Sequence, residues 1–136
     1  MTRNRGVVLG VAALGILLVA LATPTLAHHS TTMFVQDKTI TLEGTLTDVA
    51  WSNPHSLFFL DAKPIDQPNA AVQNWSVEAP NPRILTRLGW ERDTIKAGDK
   101  VQIKGYARKD GRPQILFIEI RDDKGHHFYS PREAFD

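Results

Sequence analysis

A strict alternation of apolar and polar residues limits what this chain can become. From Thr39 onward, Ile40, Leu42, Gly44 and Leu46 fall on one side of an extended backbone, while Thr41, Glu43, Thr45 and Thr47 fall on the other. Successive strand side chains point to opposite faces, so a period of two predicts a half-buried β-strand, here reaching Trp51. Residues 55–62, with Leu57, Phe58, Phe59 and Leu60, predict a second strand that is apolar on both faces. A third covers 72–79 with Trp75 and Val77 inward. In a fourth, Val101, Ile103, Gly105 and Ala107 alternate with Gln102, Lys104, Tyr106 and Arg108. Asp110-Gly111 closes a hairpin into a fifth strand over 115–121.

The third and fourth strands are separated by a helix signal. Asn81 suits an N-cap and Pro82 a first helical residue; Ile84, Leu85 and Leu88 share one stripe, and Gly89 is a stop. Ser52-Asn53-Pro54 reads as a turn, and residues 63–71, with Pro64, Pro68 and Asn69, as a loop. The order strand, strand, strand, helix, strand, strand predicts an all-β or β-rich domain. The expected form is a small five-stranded OB-like barrel with one short helix between strands 3 and 4. A small open sheet with one packed helix is the alternative.

The N-terminus reads as a secretory signal peptide. Arg3 and Arg5 are followed by an apolar run over 7–22, the helix breaker Pro24, and small residues around a cut after Ala27. The run falls short of the roughly 20 residues of a membrane span. Cleavage therefore leaves no stable span and predicts a periplasmic or secreted protein. A cut after Ala22 is the alternative. The expected divisions are a signal peptide over 1–27, an N-terminal arm over 28–38, the β domain over 39–122 and a C-terminal tail over 123–136.

Sixteen Lys and Arg face 15 Asp and Glu. Two arginines leave with the leader and no acid does, so the mature balance is one net negative charge. A near-neutral domain gives no electrostatic footprint for nucleic acid. The chain has no cysteine, which excludes disulfides, thiolate metal sites and thiol nucleophiles. No nucleophile elbow, phosphate loop, dinucleotide fingerprint or HExxH motif occurs. Glu43 and Glu78 read as outward surface residues rather than a pair of catalytic acids, and no enzyme activity is expected.

Histidine carries the chemistry that remains. A cut after Ala27 makes His28 the first residue, where a free α-amine and an imidazole can chelate one metal ion. His29 adds an amide nitrogen or a second imidazole, and His55, after the turn at Asn53, is a candidate third ligand. Nitrogen ligands suit copper or zinc, with Cu(II) favoured by a tetragonal set. Trp51 and Asn53 are candidates to line a ligand pocket beside His55; the other reading is turn chemistry with Trp51 as a core residue. His126 and His127 read as part of a solvated tail.

Several short motifs in a fixed order carry a family resemblance. They are His28-His29-Ser30, Met33-Phe34, Thr41-Leu42-Glu43-Gly44-Thr45, Trp51-x-Asn53-Pro54-His55 and Trp75-x-x-Glu78. Leu85-x-x-Leu88-Gly89-Trp90, Gly98-Asp99-x-Val101 and Lys109-Asp110-Gly111 complete the set. Together they resemble the bacterial exported family named DUF6152, a domain of unknown function. The resemblance implies export and a compact β-rich domain, and it carries no established activity. The tail from Gly125 and the bulky fifth strand depart from its pattern. The expected function is thus a small exported binding protein for a metal ion, copper before zinc, at the N-terminal His pair. The alternative is an envelope interaction module that recognises a glycan, peptide or protein through the barrel face.

Overall fold

The computed structural model describes residues 31–130. A single 3-10 turn, Thr31–Met33, leads into β1 (Phe34–Ala50), β2 (Ser56–Pro64) and β3 (Gln73–Ala79). A helix, α1 (Pro82–Arg87), precedes β4 (Lys100–Arg108), β5 (Gln114–Asp122) and β6 (His127–Tyr129). The fold is all-β with one short helix. β1 pairs antiparallel with both β2 and β4, β2 with β3, and β4 with β5. β3 and β5 pair in parallel through Ser76–Gln114, Val77–Ile115 and Glu78–Leu116, so the pairings run round a ring of five strands. β6 pairs antiparallel with β5 beyond the stretch that β3 occupies.

The alternation decides which residues enter the core. Leu42 and Leu46 of β1, Phe58 and Leu60 of β2, Val77 of β3 and Ile103 of β4 are all buried in one cluster, and Ile40 and Trp75 pack against it. On β2 the opposite face, Leu57 and Phe59, is half-buried. α1 forms where its caps predict. The Asn81 carboxamide oxygen accepts from the Ile84 N–H at 3.1 Å, satisfying one orphan donor of the first turn. Its apolar stripe delivers Leu85 to the core.

Two segments differ from the sequence reading. Residues 34–38, assigned to an arm, belong to β1. Phe34 sits opposite Arg108 and is buried, and Lys109 N–H donates to Met33 O at 2.9 Å. The register shifts between Phe34 and Thr39. Such an irregularity interrupts the period of two, which is why no alternation marks this part of the strand. The second difference is β6, which lies inside the stretch expected as a solvated tail. Phe128 packs against Trp90 with ring centroids 4.5 Å apart, and Ser130 N–H donates to Ile118 O at 2.8 Å.

The face assignment has a direct test. Val77→Ala and Ile103→Ala should each destabilise by about 1–4 kcal/mol, since both truncate fully buried side chains. Thr39→Ala and Thr47→Ala, at exposed positions of β1, should cost less than about 1 kcal/mol. Urea unfolding of the four variants measures the difference, and equal losses would contradict the assignment.

Candidate functional site

The strand ring fixes one histidine of the predicted set. After β1 the chain turns through Ser52, Asn53 and Pro54, with a cis Asn53–Pro54 peptide. Ser52 Oγ donates to His55 O at 2.8 Å, and Ser56 N–H donates to Pro80 O at 3.4 Å. These bonds hold His55 at the head of β2, against the end of β3. There His55 Nδ1 lies 2.7 Å from Glu78 Oε1, with the two side chains 21% and 11% exposed.

Glu78 corrects the sequence reading, which places it on an outward surface. Val77 does face the core, and the alternation does send Glu78 to the other face. That face is not solvated here. Glu78 is in register with Leu57 of β2 on one side and Leu116 of β5 on the other, and the residue is only 9% exposed. A carboxylate flanked by two leucines needs a polar partner, and the His55 imidazole supplies one. Nothing in the spacing of residues 55 and 78 signals this pairing, which arises from the register of β2 against β3. Glu43, by contrast, is exposed on β1 and accepts from Gln102 Nε2 at 3.0 Å, so the two glutamates have separate partners.

The chemistry open to the pair is specific. A carboxylate accepting from Nδ1–H sets the imidazole tautomer and makes Nε2 the metal-binding nitrogen, the usual arrangement behind a histidine ligand. Among the described residues, no three His, Asp or Glu side chains cluster as a metal site. His28 and His29 lie outside the described residues. Of the pocket candidates, Trp51 is half-buried and packs against the core cluster. It also lines a surface hollow of about 270 Å³ with Asp48, Arg92 and Lys96. Asn53 is exposed on the turn, and neither it nor His55 lines that hollow.

The C-terminal histidines have structural partners. His126 Nδ1 is 2.7 Å from Asp122 Oδ2, and His127 Nε2 is 2.9 Å from Glu119 Oε2. Burial pulls the Asp122 carboxyl upward, but hydrogen bonds from the His126 side chain and backbone outweigh it and hold the carboxyl below its ordinary value. Glu119 is likewise lowered, chiefly by the bond from His127. The His127–Glu119 pair ties β6 to β5, and the His126–Asp122 pair closes the turn between them.

Among the described residues, no helix is long and apolar enough to cross a membrane. No curated protein and no solved structure matches the chain. One family model does match, over residues 14–117, a span that includes His55, Glu78 and four of the five strands of the ring in full; the chain belongs to the Family of unknown function (DUF6152).

Proposed function

We propose that the protein is an exported metal-binding domain, taking copper before zinc through the amine and imidazole of His28, through His29 and through His55. Export follows from Arg3, Arg5, the apolar run over 7–22 and the small residues at Ala27. The scaffold is an OB-like barrel. The ring β1–β2–β3–β5–β4–β1, with α1 between β3 and β4, supports that reading.

The observation that carries the metal reading is the 2.7 Å contact between His55 Nδ1 and Glu78 Oε1. It gives His55 the carboxylate backing of a histidine ligand, in a place where neither residue is fully exposed. Chain length permits His28 to join it. Phe34 pairs with β4, and β5 and then β3 follow round the ring. That makes three strand spacings of about 4.8 Å between Phe34 and β3. The six residues from Phe34 back to His28 can span at most about 20 Å.

The test compares protein beginning at His28 with the same protein carrying one extra N-terminal Gly. The extension turns the α-amine into an amide and should weaken Cu(II) binding at least about tenfold, or about 1.4 kcal/mol. His55→Ala should weaken it further, and Glu78→Gln should do so by about 10–100-fold in the manner of an outer-sphere partner. Protons compete for both nitrogens, so affinity should fall as pH drops from about 8 to about 5. Equal affinities for native and extended protein would refute the chelate. The remaining reading would then be an interaction module of the cell envelope.

A further inference from the structure

A second site lies at the opposite end of β2 from His55, where Pro64 closes the strand. Between the loop after β2 and the hairpin joining β4 to β5 is a cavity of about 310 Å³. That is the lower range of small-molecule pockets, enough for one or two sugar rings. Among the described residues its charged lining is cationic: Lys38 from β1, Arg108 from β4 and Arg112 from the hairpin, with no carboxylate beside them.

The hairpin orients these cations. Asp110, outside the lining, accepts from Arg108 Nε at 2.9 Å through each carboxylate oxygen, and lies 3.4 Å from Arg112 Nε. Arg108 Nη1 donates to Gln114 Oε1. Asp110 is held below its ordinary value, first by the Arg108 bond. One acid thus orients the Arg108 guanidinium and lies beside that of Arg112, and two guanidiniums against one carboxylate leave a net positive wall to which Lys38 adds. Fork-shaped donors fixed in this way suit a carboxylate.

The remaining lining selects more than charge. Gln67, Gln73 and Gln114 add three carboxamides, each of which can both donate and accept. Trp75 and Ile40 bring apolar surface, their inner sides packed against the core. A bare inorganic anion uses neither feature. A ring that has an apolar face, an edge of hydroxyls and one carboxylate uses all three.

We propose that this cavity binds an acidic saccharide, with its carboxylate taken by Lys38, Arg108 and Arg112, its hydroxyls by the glutamines, and its ring against Trp75. The site is independent of the metal reading, because nearly the whole length of β2 separates it from His55.

Three probes would be titrated calorimetrically into the protein as the cell produces it: a galacturonic acid disaccharide, the galactose disaccharide, and inorganic phosphate. The acidic disaccharide should bind and change tryptophan fluorescence, and Trp75→Phe should abolish most of that change. Lys38→Ala with Arg112→Ala should weaken it by about tenfold or more. Lys38 is exposed and the Arg112 side chain 73% exposed, so the double variant should fold. His55→Ala should leave this affinity unchanged. Equal binding of the neutral disaccharide would overturn the charge selection, and equal binding of phosphate would overturn the saccharide. Absence of binding by the acidic disaccharide at about 10 mM would remove the site altogether.

Discussion

Trp90→Ala should cost the fold about 3–5 kcal/mol, the loss expected when a large aromatic is cut from a packed interior. Trp90 is 1% exposed and meets three phenylalanines. It stacks on Phe58 at 5.7 Å, meets Phe117 edge-on at 5.8 Å and tilts against Phe128 at 4.5 Å. These rings come from β2, β5 and β6, so one side chain joins three strands to the end of α1. Its backbone is tied as well, with Trp90 N–H donating to Leu85 O at 3.0 Å. For a domain of this size each kcal/mol moves Tm by about 4–8 °C, so the melting point should fall by about 12 °C or more. Phe128→Ala removes the ring contacts with Trp90 and His126 from a half-buried position and should cost about 1–3 kcal/mol. Calorimetry or urea unfolding separates the two, and a Trp90 loss no larger than the Phe128 loss would place the centre of the core elsewhere.

Gly44→Ala and Gly105→Ala should each destabilise by about 2–4 kcal/mol, for a reason unrelated to side-chain burial. A Cβ on Gly44 would stand 2.2 Å from Asp61 O and 2.6 Å from Ala62 Cβ, and one on Gly105 would stand 2.4 Å from Leu116 O. The atoms in the way are backbone atoms and Cβ atoms of the neighbouring strands, β2 and β5, with Ile115 Cδ1 the one that a side-chain rotation can move. Insertion must push a strand outward and stretch its ladder. Gly89 makes the contrast, since a Cβ there meets nothing within 4 Å while its φ of 90° disfavours any other residue. Gly89→Ala should therefore cost about 1–2 kcal/mol from the backbone alone. Unfolding midpoints of the three variants check the order, and a Gly44→Ala protein as stable as the parent would mean that β1 and β2 lie farther apart than described.

The candidate site was partly legible before the fold. His55 stands out because a turn of Ser52, Asn53 and Pro54 precedes it, and turn chemistry is written in adjacent residues. Its partner Glu78 is 23 positions away and looks like any outward acid on a strand. What buries it is lateral: Leu57 and Leu116 arrive beside it from two other strands. The cationic cavity has the same origin, since Lys38, Arg108 and Arg112 are unremarkable in sequence until β1 and the β4–β5 hairpin meet.

The inward faces of β1, β3 and β4, the capped helix at Asn81-Pro82 and the Asp110-Gly111 turn were legible in local patterns, a period of two or neighbours within a few positions, and the family was legible in the order of its motifs. β2 is apolar on both faces and shows no such period, so its inward side, Phe58 and Leu60, came from the fold. The early start of β1 at Phe34, the strand β6 and the burial of Glu78 were decided only in the tertiary structure. β1 runs on to Phe34 because β4 continues to Arg108 and offers it backbone partners. β6 forms because Phe128 finds Trp90, and because Asp122 and Glu119 bind His126 and His127. A strand edge is satisfied by whichever segment reaches it, and that choice depends on chain distant in sequence, which no local pattern records.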